Sequence, residues 1–114
     1  MGRSVLIVED DRAARTAITR LLQRQGFAVS EAGTVADAIA GLEGAPQWVL
    51  LDLMLPDGSG LNVLRKVRSD QIAARVCIIT GCDSEMLRAA RVEGAEHTFT
   101  KPLDVARLMT VMCA

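Results

Sequence analysis

Three short apolar runs constrain the fold of this chain most: residues 5–8 (VLIV), 48–51 (WVLL) and 76–79 (VCII), each bounded by polar or turn residues. Unbroken runs of that length, rich in β-branched and aliphatic types, suit strands covered on both faces. Two further candidates, residues 27–31 and 97–101, alternate instead: Phe27 and Val29 face one way, and Thr98 and Thr100 face away from Phe99. Alternation suits the edges of a sheet. Between these runs lie helical patterns. Ala14, Ala17, Ile18, Leu21 and Leu22 recur at spacings of three and four before Gly26, which predicts a helix over about 12–25. Thr34 is placed to cap a second helix carrying Val35, Ala38, Ile39 and Leu42 and ending near Gly44-Ala45-Pro46. Leu61, Leu64 and Val67 mark a third. Ser84 can cap a fourth that carries Leu87 and Ala90 and stops at Gly94, and a fifth runs over 103–113.

Strict alternation of strand and helix implies parallel strands joined by right-handed crossovers, with helices on both faces of one sheet. With the first, third and fourth strands central and the second and fifth at the edges, the expected order is 2-1-3-4-5. That is the α/β, flavodoxin-like, doubly wound (βα)5 arrangement in one domain. Its crevice lies outside the C-terminal ends of the first and third strands, where the winding reverses. No internal repeat, low-complexity tract or linker interrupts the 114 residues.

Composition narrows the class. Half the residues are apolar and 24% are charged, as in a globular chain rather than a disordered one. No apolar run exceeds four residues, far below the roughly 20 that cross a bilayer, so no membrane association and a cytoplasmic location are expected. Thirteen basic against fourteen acidic residues leave a net charge of −1 without a Lys/Arg run, which argues against direct nucleic-acid binding. Cys77, Cys82 and Cys113 form no C-x-x-C pair, and His97 is the single histidine, so a zinc site lacks ligands. Reduced thiols fit them best. Gly58-Ser59-Gly60 completes neither a dinucleotide nor a P-loop signature.

The polar residues that follow the strands carry the chemistry. Glu9-Asp10-Asp11 follow the first strand, Asp52 ends the third, Thr80 ends the fourth and Lys101-Pro102 follow the fifth, all at one rim. Helix capping accounts for Asp10 or Asp11 singly, and a turn accounts for Asp52. Three carboxylates, a hydroxyl and an ammonium around one crevice are harder to explain that way. Two carboxylates about 5 Å apart repel by roughly 3 kcal/mol at an effective dielectric near 20. A hard divalent cation relieves this, and Mg²⁺ suits carboxylate, carbonyl and water oxygens. Glu9, Asp10 and Asp52, with a main-chain carbonyl such as that of Met54, are the candidate ligands. Asp52 ends a buried run and enters a turn-rich loop, which makes it the candidate nucleophile for an aspartyl-phosphate. Lys101 is a candidate point charge on the phosphoryl group and Thr80 a hydrogen-bond donor to it.

The segments VLIVEDD at 5–11, LLDLMLPDGSG at 50–60, IITG at 78–81 and TKP at 100–102 resemble the receiver domain of two-component response regulators. The resemblance runs in one frame over essentially the whole chain, giving a receiver domain over 1–114. It implies Asp52 as phosphoacceptor, Glu9 and Asp10 as acidic pocket, Met54 as carbonyl ligand, Thr80 as switch hydroxyl and Lys101 as the ammonium. It also implies Mg²⁺ and a phosphoryl donor that is a histidine kinase or phosphotransfer protein. An output domain or partner protein outside this chain is implied too, since twelve residues follow Pro102. Receivers of this kind can pair as homodimers through the fourth helix, fifth strand and fifth helix.

One position departs from the pattern: the residue three before the lysine, usually an aromatic in the family, is Thr98. Phe99 does not replace it, because adjacent strand residues face opposite sides. Two other readings stay open. An Mg²⁺-dependent phosphatase would use the same aspartate but lacks a D-x-D pattern and a substrate domain, and a pseudo-receiver would bind proteins alone. Cys82, two residues past Thr80 and near the candidate phosphoryl site, reads first as a reduced thiol, with a redox role as the lesser reading. The arginines at 12, 15, 20 and 24 read equally as a solvated face and as a docking face for the phosphodonor. Of the apolar residues Leu103, Val105, Leu108, Met109, Val111 and Met112, some are in excess of one buried face. Trp48, about 13 Å along the strand from Asp52, is expected in the core.

Overall fold

The computed structural model describes residues 3–81 and 84–113. Five parallel strands form one sheet: β1 (Arg3–Val8), β2 (Phe27–Ala32), β3 (Trp48–Leu51), β6 (Arg75–Thr80) and β7 (His97–Thr100). Between β3 and β6, a two-stranded antiparallel hairpin, β4 (Met54–Leu55) and β5 (Gly58–Ser59), precedes helix α3 (Leu61–Ser69). The other helices are α1 (Arg12–Arg24), α2 (Val35–Gly41), α4 (Ser84–Val92) and α5 (Val105–Cys113). The sheet order is β2-β1-β3-β6-β7, which is the expected order once the hairpin strands are counted.

The central strands are buried on both sides because their alternate residues feed two cores. Leu6, Val8, Val49, Leu51, Val76 and Ile78 face α2, α3 and α4, whose Ala38, Leu64, Val67 and Ala90 join them. Val5, Ile7, Trp48, Leu50, Cys77 and Ile79 face the other way, against Leu22 of α1 and Leu108 and Met112 of α5. Each of the larger aliphatic side chains contributes about 1.5–3 kcal/mol by leaving water. Phe27 belongs to the second core and Ala32, at the other end of the same edge strand, to the first. Trp48 is buried as expected, with the Arg75 guanidinium 4.3 Å from its ring centre on the rim.

The helix ends follow local chemistry. Asp11 starts α1 by accepting from the amides of Ala13 and Ala14, and Gly26, at φ +89°, turns the chain after it. Thr34 caps α2 through the Asp37 amide, and the last turn tightens into a 3-10 turn at Leu42–Gly44. The fifth helix begins at Val105 rather than at Leu103. The Asp104 side chain accepts from the Arg107 amide and its carbonyl accepts from the Leu108 amide, so Asp104 sets the start. The Ser84 side chain, expected to cap α4, and Cys82 lie outside the described residues.

Candidate functional site

Strand register builds the site. Val8 pairs with Leu51, so Glu9 and Asp52 emerge side by side one residue beyond the last pair, and the Asp52 amide donates to the Val8 carbonyl at 3.0 Å. The Glu9 amide donates to the Ala32 carbonyl at 3.0 Å, which ties the same rim to β2. On the other side, Thr80 pairs with Thr100, and the Lys101 amide donates to the Thr80 carbonyl at 3.0 Å. The Lys101–Pro102 peptide is cis.

From that frame Lys101 Nζ reaches across to Glu9 Oε1 at 2.8 Å and to Asp52 Oδ2 at 2.9 Å. Asp52 Oδ1 accepts from the Met54 amide at 2.9 Å, so both carboxylate oxygens are held. Glu9 Oε2 accepts from the Asp11 amide at 3.1 Å. Glu9 and Asp52 are each 4% exposed and Thr80 is fully buried, whereas Asp10 opens to solvent. The loop after Asp52 closes tightly enough that Gly60 cannot be replaced without movement: a Cβ there would stand 2.2 Å from the Asp52 carbonyl oxygen.

The electrostatics follow from burial. Desolvation raises the Glu9 carboxyl above its ordinary value of 4.5; the Lys101 and Asp11 hydrogen bonds oppose this, and the Asp52 charge adds to it. Burial works against the Lys101 ammonium, yet its hydrogen bonds and charge pairing with Glu9 and Asp52 prevail and hold its pKa above the ordinary lysine value. One carboxylate oxygen from each of Glu9, Asp10 and Asp52 lies within 4.8 Å of the other two. At about 2.1 Å per Mg–O bond, oxygens on one ion stand up to about 4.2 Å apart. The three carboxylates are therefore a hard-donor set near enough to offer oxygens to one divalent cation once they draw together.

Glu9, Asp10, Asp52 and Lys101 thus meet at one rim, the Met54 amide donates to Asp52, and Thr80 sits at the neighbouring strand end. Two residues near the rim make contacts that the sequence pattern does not single out. Arg15, which the sequence does not separate from Arg12, Arg20 and Arg24, donates from Nη1 to the Glu9 carbonyl at 2.7 Å and from Nε to Glu31 at 2.9 Å. Asp57, read only as part of a turn, accepts from the Val35 amide at 2.7 Å and the Ala36 amide at 3.1 Å, binding the hairpin to the start of α2. No local signal marks Asp57, because the helix start it meets lies 22 residues earlier in the chain. Thr98 is half-buried, and its hydroxyl accepts from Arg91 of α4 at 3.1 Å.

Comparison with known proteins agrees with this geometry. A family model described as the response regulator receiver domain matches residues 5–112. The photosynthetic apparatus regulatory protein RegA of Rhodobacter capsulatus is 33% identical over 114 residues. That match covers 98% of this chain and 62% of RegA, so the chain spans about three fifths of this relative. Among solved structures, a DNA-binding response regulator of the LuxR family from Staphylococcus aureus superposes with a TM-score of 0.90 at 25% identity, covering 97% of this chain and 96% of that one. The BeF3-activated DrrB receiver domain gives 0.88 at 28% identity, covering 99% and 96%.

Proposed function

The chain belongs to the response regulator receiver domain family, a family of phosphoacceptor signalling domains, and from that premise we propose that Asp52 is its acceptor. The supporting observation is the meeting of Glu9, Asp10 and Asp52 beside the Lys101 ammonium. Glu9, Asp10 and Asp52, with the Met54 carbonyl, would hold Mg²⁺. When bound, the cation neutralises charge on the transferring oxygens.

The chain's own residues do the rest. An Asp52 carboxylate oxygen forms the new O–P bond while the donor's bond to phosphorus breaks and the leaving group departs with its electron pair. The Met54 amide and Lys101 fix the plane of that carboxylate before attack. Lys101 offers further protons to a phosphoryl oxygen, and the Thr80 hydroxyl at the adjacent strand end donates to another. The low exposure of Asp52 and Glu9 strengthens these interactions.

The phosphoryl donor is a histidine kinase or phosphotransfer protein, and the change is read by an output domain or partner protein. The face formed by α4, β7 and α5 is the surface for a homodimer or for that partner. Among the described residues no helix is long and apolar enough to cross a membrane, and a cytoplasmic site of action fits the reading. Incubation with a small phosphodonor and Mg²⁺, followed by intact mass, tests it. One added phosphoryl is expected, absent with Asp52→Asn and after chelation; an unmodified wild-type chain, or modification indifferent to both treatments, contradicts it.

A further inference from the structure

We propose that Arg15 is a positioning residue for the cation site, holding the Glu9–Asp10 peptide so that both flanking carboxylates aim at one ion. The inference rests on the cation site proposed above.

Of the four arginines on α1, Arg12, Arg20 and Arg24 are exposed, whereas the Arg15 side chain is only 20% exposed. Its guanidinium uses two edges. Nε pairs with Glu31 Oε1 at 2.9 Å, and Nη1 donates to the Glu9 main-chain carbonyl at 2.7 Å. Glu31 sits on β2 opposite Ile7, two residues before Glu9, so the fork is anchored on the strand that flanks the site. Gly33 leaves room for it: a Cβ there would lie 3.1 Å from Arg15 Nη1 and 3.8 Å from the Glu9 carbonyl oxygen.

The consequence falls on Asp10. Glu9 is held at its amide by Ala32 and at its carboxylate by Lys101 and the Asp11 amide. The exposed Asp10 carboxylate has no hydrogen bond or ion pair among the described residues. With no side-chain partner to hold it, the backbone alone sets where its Cα–Cβ bond aims, and the Glu9 carbonyl is the backbone group that Arg15 grips. Fixing that carbonyl fixes the rotation of the peptide joining the two acidic residues. Groups that orient metal ligands typically contribute tenfold to a hundredfold in affinity.

Charge and positioning predict opposite signs. A guanidinium near a cation site repels the cation, so if Arg15 acted by charge alone, removing it would tighten Mg²⁺ binding. If it positions the ligands, removal weakens binding. The experiment is an MgCl2 titration of the chain followed through the amide NMR signals of Glu9, Asp10, Asp11 and Met54, with thermal melting alongside. Wild-type is expected to give one saturable site, Arg15→Ala a Kd raised about tenfold, and Arg15→Lys, which keeps one donor, an intermediate value. Gly33→Ala leaves Arg15 in place but crowds its guanidinium, and is expected to weaken binding as well.

Equal or tighter binding by Arg15→Ala and Gly33→Ala, with only the melting temperature lowered, overturns the positioning role while leaving the cation site standing. No saturable shifts in wild-type overturns the cation site and this inference together. Failure of Arg15→Ala to fold leaves the decision to Arg15→Lys and Gly33→Ala.

Discussion

Gly60 stands where the chain passes closest to the end of β3, and it has helical backbone angles that any residue can adopt. Its requirement is spatial, since a Cβ would meet the Asp52 carbonyl oxygen at 2.2 Å and the Leu53 Cα at 2.9 Å. Gly60→Ala is expected to destabilise the fold by about 2 kcal/mol or more in denaturant titration and to move Asp52, because neither contact is a flexible side-chain tip. Cys77 gives a second residue-level prediction. It is fully buried, and desolvation, with a further push from the Glu96 charge, raises its thiol to about 12. A thiol reagent at pH 8 is expected to leave Cys77 unmodified in the native protein and to label it after unfolding, as read by peptide mass. Native-state labelling of Cys77 contradicts the burial. At this scale the sequence places Glu9, Asp10, Asp52, Thr80 and Lys101 on one rim, because the C-terminal strand ends of a parallel sheet share it. It could not separate Arg15 from the other arginines of α1, because the inward turn depends on Glu31 and on the space at Gly33, neither adjacent in sequence.

The elements carry two further consequences. Asp57 joins the β4–β5 hairpin to the start of α2, and the amide hydrogen bonds, that of Val35 foremost, hold its carboxyl below the ordinary 3.8. A depressed pKa contributes stability that is complete above the unfolded value and is lost as pH falls through the folded one. Asp57→Asn is therefore expected to lower stability at pH 7 and to flatten its decline below about pH 4, measured by denaturant midpoints across that range. An unchanged acid limb would show that the cap is not felt by the fold. On the opposite side, Thr98 accepts from Arg91 of α4, and the buried Phe99 carries the Arg107 guanidinium 4.4 Å from its ring centre. With no aromatic at position 98, phosphorylation at Asp52 is expected to reach the α4–β7–α5 face only weakly. Adding beryllofluoride is then expected to shift amides around Asp52 and Lys101 strongly and those of 97–99 and α5 little. Large shifts across the whole face contradict it. The hairpin and the start of α5 escaped the sequence reading for physical reasons. Two-residue strands show no period, and the cap at Asp104 competes with an apolar residue, Leu103, that looks like a helix start.

Across the whole molecule, one sheet divides two cores and places its strand ends on a single rim. The order of strands was legible because the three central runs are apolar on both faces and the edges alternate. The register was not legible, yet it brings Glu9 beside Asp52, so the site's geometry had to come from the structure. Every chemical role proposed at the rim follows from Asp52 as the acceptor. Borohydride reduction of the acyl phosphate after phosphodonor treatment, followed by peptide mass mapping, tests this most directly. Reduction to the corresponding alcohol at position 52 alone is predicted, and reduction at Glu9 or Asp10, or phosphorylation retained on His97, contradicts it.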